Sequence, residues 1–129
     1  MIINDAYNAN PDSMRASLAM FSALEVKHKR YAVLGDMGEL GDFAQACHES
    51  VGRFAATQKI DRLICVGELA RFIAEGARAA GLPAERILSV ATRGEALNEL
   101  ETHLEAGDAV LVKASHSMEL ERIVRGLLA

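Results

Sequence analysis

The apolar residues of this chain form two alternating kinds of pattern. Short continuous apolar runs predict five buried strands, at 2–3, 31–34, 62–66, 87–90 and 109–112. Between these runs, apolar residues recur every three or four positions, as at Met14, Leu18 and Phe21, which predicts an amphipathic helix after each strand. Five strands alternating with five helices predict an α/β fold: a small, Rossmann-like, doubly wound domain whose mainly parallel five-stranded sheet has helices on both faces.

Polar side chains mark where the predicted helices begin and end. We expect Asn10, Asp42, Thr92 and Ser117 each to cap the helix that follows, because their side-chain oxygens accept hydrogen bonds from free backbone N–H groups. Gly81 is expected to end the third helix.

Composition narrows the class of protein. The chain has 129 residues, the size of one domain, and half of them are hydrophobic. Its net charge of −4, without a basic block, argues against nucleic acid or an anionic membrane as the main partner. No apolar run is long enough to span a bilayer and no signal peptide is recognisable, so we expect a cytoplasmic protein. Cys47 and Cys65 are expected to be small core residues, and His48 a partly buried, hydrogen-bonded side chain.

Three of the five predicted strand-to-helix loops, 4–10, 35–42 and 113–117, are unusually polar. In a parallel sheet these loops emerge at one edge, which is where ligands bind in open α/β sheets. Each polar residue also has a plainer interpretation: Asn10 as a cap only, Asp36 and Glu39 as solvated acids, Lys113 as a surface lysine. The glycines at 35, 38 and 41 do not match a dinucleotide-binding loop, so these residues alone do not specify a reaction.

At these same loops the chain resembles a known family. The motifs are D-x-Y-N-A-N-P at 5–11, L-G-D-M-x-E-L-G at 34–41 and K-A-S-H-S-M at 113–118. Together they resemble the C-terminal domain of the Mur ligases, in order and nearly from end to end. Ala114 and His116 stand where that family usually has glycine and arginine.

The resemblance implies an ATP-dependent, ADP-forming ligase of bacterial peptidoglycan synthesis. It favours the branch of the family that adds D-alanyl-D-alanine to UDP-N-acetylmuramoyl-tripeptide through an acyl phosphate. In such enzymes ATP and Mg²⁺ are held mainly by a central domain. Residues 1–129 are then expected to form the third domain alone, inactive in isolation, which closes onto its own central domain in the full-length enzyme.

The resemblance also implies roles for individual residues. Asp5 is expected to meet the ribose hydroxyls of the nucleotide, and the nucleotide-binding residues as a group are Asp5, Asn8 and Asn10. The carboxylate of the incoming D-alanyl-D-alanine is expected near the 113–117 loop. The acids of the 35–42 loop are expected either to contact its ammonium group or to brace the neighbouring loops. The substrate-binding residues as a group are Tyr7, Asp36, Glu39, Lys113, Ser115 and Ser117. The resemblance gives this domain neither a metal ligand nor a catalytic residue.

Two alternatives remain open at the level of sequence. The first is another amide ligase of the superfamily, one that adds a different amino acid or extends folate with glutamate. The Tyr7–Asn10 loop and the 34–41 motif favour the dipeptide-adding branch over it. The second is a non-catalytic α/β ligand-binding module.

Overall fold

The structure, a computed structural model, describes residues 1–5 and 9–128. It contains one sheet of five strands, all parallel, in the order β1-β5-β2-β3-β4. The strands are β1 Ile2–Asp5, β2 Arg30–Gly35, β3 Arg62–Val66, β4 Ile87–Val90 and β5 Ala109–Lys113. The predicted α/β class and the number of strands are therefore confirmed.

Five helices cover the two faces of the sheet. They are α1 Pro11–Ala23, α2 Ala44–Ala55, α3 Ala70–Ala79, α4 Arg93–His103 and α5 Glu121–Leu128. Helices α1, α2 and α3 pack on one face, and α4 and α5 on the other, so the sheet lies between two apolar cores. In the ranges that the structure describes, none of the helices combines the length and apolarity needed to cross a membrane.

The central strands have apolar side chains on both faces, which explains their continuous hydrophobic runs. In β5, Leu111 packs into the core under α1–α3, while Val110 and Val112 face the core under α4 and α5. A strand covered on both sides has no solvent-facing positions, so the alternation typical of half-exposed strands is absent. Cys65 lies in β3 within the first core, where burial raises the pKa of its thiol far above the ordinary value.

Two of the four predicted caps are confirmed. The Asn10 side chain accepts a hydrogen bond from the Ser13 backbone N–H at 2.8 Å, and the Ser13 hydroxyl accepts one from the Asn10 N–H at 3.0 Å. Thr92 accepts a hydrogen bond from the Glu95 backbone N–H at 3.2 Å. Gly81, with a φ of 104°, lies two residues beyond α3, as predicted for a helix end.

The other two predicted caps are wrong. Asp42 lies inside a short 3₁₀ turn, Gly41–Phe43, and α2 begins at Ala44 without a side-chain cap. Ser117 also lies in a 3₁₀ turn, His116–Met118, and α5 begins only at Glu121. The reason in the second case is Glu119, whose φ of 52° is left-handed and interrupts the helical path between the turn and α5.

Neighbouring strands approach closely where β2 and β5 end. A Cβ atom placed on Gly35 would lie 2.6 Å from the Cβ of Ala114, well inside van der Waals contact. Ala114 itself is fully buried, against the core that faces α5. The carboxyl end of β2 therefore has no room for a side chain at position 35 while alanine occupies position 114.

Candidate functional site

The polar loops meet at the carboxyl edge of the sheet. Asp5 ends β1 and Lys113 ends β5, and the two residues are partners in the strand register. Lys113 is also paired with Leu34 of β2, which places the start of the 35–42 loop beside it. The described parts of the 4–10, 35–42 and 113–117 loops thus meet at one edge, as predicted, although the binding roles assigned to their residues stay predictions.

Asp5 is held at this edge through one of its two carboxylate oxygens. Its Oδ2 accepts a hydrogen bond from Lys113 Nζ at 2.7 Å and another from the Ser17 hydroxyl at 2.6 Å. The side chain of Asp5 is 40% exposed, whereas that of Lys113 is 3% exposed. Among the residues that the structure describes, none donates a hydrogen bond to Asp5 Oδ1.

The surroundings of Asp5 favour its ionised form. Partial burial alone would raise the pKa of its carboxyl, but hydrogen bonds from Lys113 and Ser17 and the charge of Lys113 outweigh burial and lower it. The carboxylate is therefore ionised at neutral pH, and both oxygens are acceptors. This is the form required to accept hydrogen bonds from the hydroxyls of a ligand.

Asp36 connects three loops at the same edge. Its Oδ1 accepts a hydrogen bond from the Ala70 backbone N–H at 2.7 Å, at the start of α3, and its carbonyl accepts one from the Ser115 N–H at 3.0 Å. Gly67, with a φ of 117°, leaves room for this carboxylate, because a Cβ there would lie 2.5 Å from Asp36 Oδ1. Of the two roles predicted for Asp36, the structure gives it the contacts of a brace.

His48 supports the 35–42 loop from below. Its ring is fully buried; Nε2 accepts a hydrogen bond from the Met37 backbone N–H at 2.9 Å, and Nδ1 lies 2.6 Å from the Ala44 carbonyl. Because the Met37 N–H must donate, the ring proton is on Nδ1 and donates to Ala44. The predicted hydrogen bonding of this histidine is confirmed, and its burial is complete where partial burial was predicted.

A small cavity adjoins the other predicted substrate residues. Ser115 and Ser117 have their hydroxyl oxygens 3.1 Å apart, beside a cavity of about 270 Å³. The residues that line it are Ala9, Gly38, Glu39, Ser115, His116 and Ser117. Glu39 is exposed and has a left-handed φ of 59°. The hydroxyls of Ser115 and Ser117 and the carboxylate of Glu39 thus line one solvent-accessible cavity next to the start of α1.

The 116–119 segment beside this cavity is fixed from α4. Arg93, the first residue of α4, donates a hydrogen bond to the Met118 carbonyl at 3.3 Å and pairs with the Glu119 carboxylate at 3.2 Å. The left-handed conformation at Glu119 is therefore stabilised by contacts at its own side chain and at the preceding carbonyl. Sequence analysis had assigned no role to Arg93.

Two of the predicted site residues, Tyr7 and Asn8, lie outside the described residues. A third, Asn10, also has a structural role. Asn10 is exposed and uses its side-chain oxygen to cap α1. Its predicted contact with a nucleotide remains a prediction.

A larger cavity, of about 440 Å³, lies at the opposite end of the strands. It is lined by residues that include Lys29, Tyr31, Arg62 and Glu105, which precede or begin strands or follow α4. Arg62 is already paired with Glu99 at 2.7 Å, and ligands of open parallel sheets bind at the carboxyl ends of strands. We therefore place the candidate site at the carboxyl edge despite the smaller cavity. Residues 1–5 and 9–128 contain no group of three or more His, Cys, Asp or Glu that could hold a metal ion.

Sequence analysis missed Ser17. This residue is almost buried on the inner side of α1, among Met14, Leu18 and Phe21. A hydroxyl on the apolar side of a helix needs a hydrogen-bond partner, so a serine three residues after Met14 and four before Phe21 was a usable signal. The partner, Asp5, could not be identified without the position of α1 over β1.

Comparison with known proteins agrees with the fold and the motifs at this edge. Residues 1–116 match the family described as the Mur ligase, glutamate ligase domain. A relative from Bacillus subtilis, the UDP-N-acetylmuramoyl-tripeptide–D-alanyl-D-alanine ligase, is 41% identical over 98% of this chain. The chain thus belongs to the Mur ligase C-terminal domain family.

Relatives with the same name occur in other bacteria. The UDP-N-acetylmuramoyl-tripeptide–D-alanyl-D-alanine ligases of Mycobacterium tuberculosis and Escherichia coli are 39% and 33% identical over 99% and 98% of this chain. The chain spans about a quarter of each, 28% and 26% of their lengths, and 28% of the Bacillus subtilis relative.

Solved structures have the same fold over nearly the whole of this chain and over a similar share of their own length. A MurF from Acinetobacter baumannii superposes with a TM-score of 0.81 at 31% identity, covering 95% of this chain and 27% of its own. A MurF ligase from Thermotoga maritima, solved in complex with ADP, superposes with a TM-score of 0.77 at 26% identity, covering 97% of this chain and 27% of its own.

Proposed function

We propose that this chain is the C-terminal domain of a cytoplasmic, ATP-dependent ligase that joins D-alanyl-D-alanine to UDP-N-acetylmuramoyl-tripeptide in peptidoglycan synthesis. The relatives that cover nearly the whole chain and carry that name support the proposal. The structural observation that carries it is the carboxyl edge, where Asp5, whose side chain is 40% exposed, lies on the same rim as Ser115 and Ser117. That rim offers separate groups for a nucleotide and for an incoming amino acid.

The nucleotide half of the site is centred on Asp5. Ribose hydroxyls are hydrogen-bond donors, and an ionised carboxylate with an accessible oxygen is a suitable acceptor for them. The lowered pKa of Asp5 and its partial exposure fit this role. Asn10, at the start of α1, and Asn8 complete the predicted nucleotide contacts.

The incoming dipeptide belongs to the neighbouring half. The hydroxyls of Ser115 and Ser117 can both turn toward a carboxylate in the adjoining cavity, and Glu39, which also lines that cavity, has the charge that attracts an ammonium group. Tyr7 is predicted to contact the substrates from the loop before α1. Asp36, whose Oδ1 holds α3, acts on the substrate by fixing the position of Ser115.

The reaction requires a domain of this kind. The terminal carboxylate of the tripeptide attacks the γ-phosphate of ATP and ADP leaves; the dipeptide amine then attacks the acyl carbon, loses a proton, and phosphate leaves. Acyl phosphates react with water, so a domain that closes over the bound nucleotide and delivers the amine protects the intermediate and aligns the nucleophile. Mg²⁺, predicted to be held by the central domain, would neutralise charge on the transferred phosphate.

The decisive experiment uses the full-length protein of which this chain is part. We expect ADP release that depends on both UDP-N-acetylmuramoyl-tripeptide and D-alanyl-D-alanine. Release that depends instead on glutamate or on another amino acid would assign the chain to a different ligase of the superfamily. A full-length protein with no ATP-dependent ligation of any amino acid would favour a non-catalytic binding module.

A single substitution tests the nucleotide half. In the full-length protein, Asp5→Ala should lower kcat/KM for ATP roughly tenfold to a hundredfold, because a charged acceptor for the ribose is lost. The matched control is Asp12→Ala, which removes a carboxylate that is 95% exposed on α1. Near-normal turnover in Asp5→Ala would remove Asp5 from the site. The isolated 129-residue chain should not hydrolyse ATP.

A further inference from the structure

The charge on Lys113 is almost completely withdrawn from solvent. Lys113 is the last residue of β5, its side chain is 3% exposed, and its Nζ lies 2.7 Å from Asp5 Oδ2. A buried ammonium group is costly unless it is paired and hydrogen-bonded, and Asp5 supplies that pairing. A lysine in this position is poorly placed to meet a ligand that enters from solvent.

A second donor converges on the same carboxylate oxygen from a different element. Ser17 of α1 is 9% exposed, and its hydroxyl donates to Asp5 Oδ2 at 2.6 Å. Donors from β5 and from α1 thus meet at one oxygen, from the neighbouring strand and from the helix above. Two fixed contacts restrict rotation about the side-chain bonds of Asp5 far more than one contact does.

The pattern of contacts divides the two oxygens of Asp5 between different tasks. We infer that Ser17 and Lys113 are positioning residues, which anchor Asp5 through Oδ2 so that Oδ1 is directed to the nucleotide ribose. Lys113 on this account acts through Asp5 and does not bind the carboxylate of the incoming dipeptide. The identity of the ligand as a nucleotide rests on the proposed function, whereas the anchoring of Asp5 rests on the observed contacts alone.

The anchor also controls the charge of Asp5. Partial burial opposes ionisation, and the hydrogen bonds and charge of Lys113 and Ser17 reverse that effect and lower the pKa. Without them, Asp5 would rotate among several conformers and titrate at higher pH. The two positioning residues therefore maintain both the direction and the ionised form of the acceptor.

The first test is kinetic and uses the full-length enzyme with the variants Ser17→Ala and Lys113→Met. We expect KM for ATP to rise by roughly threefold to thirtyfold, while KM for D-alanyl-D-alanine changes by less than about twofold. Ser22→Ala is the matched control, because Ser22 also lies on α1 and its hydroxyl accepts a hydrogen bond from the Lys59 N–H, away from Asp5. It should change neither KM.

Opposite results would overturn the inference. A rise in KM for D-alanyl-D-alanine alone in Lys113→Met would make this lysine a ligand of the substrate carboxylate. Unchanged KM values in both variants would leave Ser17 and Lys113 without a positioning role. If Lys113→Met does not fold, Lys113→Gln takes its place in the test of the lysine, and Ser17→Ala by itself decides whether the anchor of Asp5 affects KM for ATP.

The second test needs no turnover. The carboxyl carbon of Asp5, followed by NMR in this chain as pH is lowered, should titrate at higher pH in Lys113→Met and Ser17→Ala than in the unmodified chain. Unchanged titration in both variants would show that the anchor does not exist. A shifted titration combined with unchanged KM for ATP would retain the anchor but reject the nucleotide role of Asp5, and with it that part of the proposed function.

Discussion

Two aspartates at opposite ends of the sheet use their carboxylates differently. At the amino end, the side chain of Asp108 is 3% exposed; its Oδ1 accepts a hydrogen bond from the Lys29 N–H at 3.0 Å and its Oδ2 one from the Glu105 N–H at 2.9 Å. At the carboxyl end, the side chain of Asp5 is 40% exposed and is anchored by side chains through Oδ2 only. Asp108 joins two backbone segments, whereas Asp5 has a partly exposed side chain whose protein contacts are at one oxygen.

The difference separates structural from ligand-binding carboxylates within one fold. A buried acid whose two oxygens both accept backbone N–H groups is bound by the protein itself and is closed to a ligand from solvent. An acid held by side chains at one oxygen is oriented but still has capacity for a ligand. Asp36 shows that location alone is insufficient, since it lies at the carboxyl edge and yet accepts the Ala70 N–H as a structural acid does.

The largest expected effect concerns the support beneath the carboxyl edge. His48→Ala should lower the free energy of unfolding by about 4 kcal/mol, because it leaves the Met37 N–H unpaired and opens a cavity where the ring was buried. Urea denaturation of the chain measures this loss. His103→Ala, which removes an exposed imidazole, should change stability by less than about 0.5 kcal/mol. Equal losses in the two variants would contradict a supporting role for His48.

The next prediction concerns Asp108, the aspartate at the amino end of the sheet. Asp108→Ala should cost about 3 kcal/mol in unfolding free energy, because two backbone N–H groups lose their acceptor. In the full-length enzyme, at temperatures where the variant is folded, KM for ATP should be unchanged. Asp108→Asn, which retains one acceptor oxygen, should cost less. A rise in KM for ATP in Asp108→Ala would erase the distinction from Asp5.

The smallest expected effect is the pH dependence of the stability that Asp5 contributes at the carboxyl end of the sheet. The pKa of Asp5 is lowered in the folded chain, so its ionisation adds stability above the ordinary aspartate pKa of about 3.9, and that stability is lost as pH falls through the lowered value. The stability difference between the unmodified chain and Asp5→Asn should therefore shrink from about pH 5 to about pH 2. Because Asp5 is partly exposed, the change should stay below about 1 kcal/mol. A difference that grows on acidification would contradict the lowered pKa.

The architecture was predictable because strand and helix patterns differ in period. The buried runs at 62–66 and 87–90 coincide with β3 and β4 as observed. The errors fell at Asp42 and Ser117, where a cap-like residue lies within a 3₁₀ turn that comes before the α-helix. A capping signal is local and is shared by 3₁₀ and α-helical turns, so it cannot show that a residue such as Glu119 will adopt a left-handed φ and delay the helix.

The candidate site was predictable only as a location. Strand ends and polar loops indicated which edge would carry Asp5, Lys113 and Ser115, because parallel strands place equivalent loops together. The pairings were not predictable, since the contact between Lys113 and Asp5 joins residues 108 positions apart. Ser17 reaches Asp5 only because α1 lies over β1, which depends on helix packing and not on sequence spacing.

Because positions 35 and 114 are in close contact, the residue type allowed at one of them depends on the residue at the other. Only one methyl group fits between the ends of β2 and β5, and in this chain Ala114 provides it. The choice of residue that follows Lys113 is thus coupled to the choice of residue that precedes Asp36, and neither position can gain bulk independently. The exchange Gly35→Ala with Ala114→Gly would remove the clash between the two methyl groups, but the new Cβ would lie 3.0 Å from Leu120 Cδ1, so the Leu120 side chain would have to move as well.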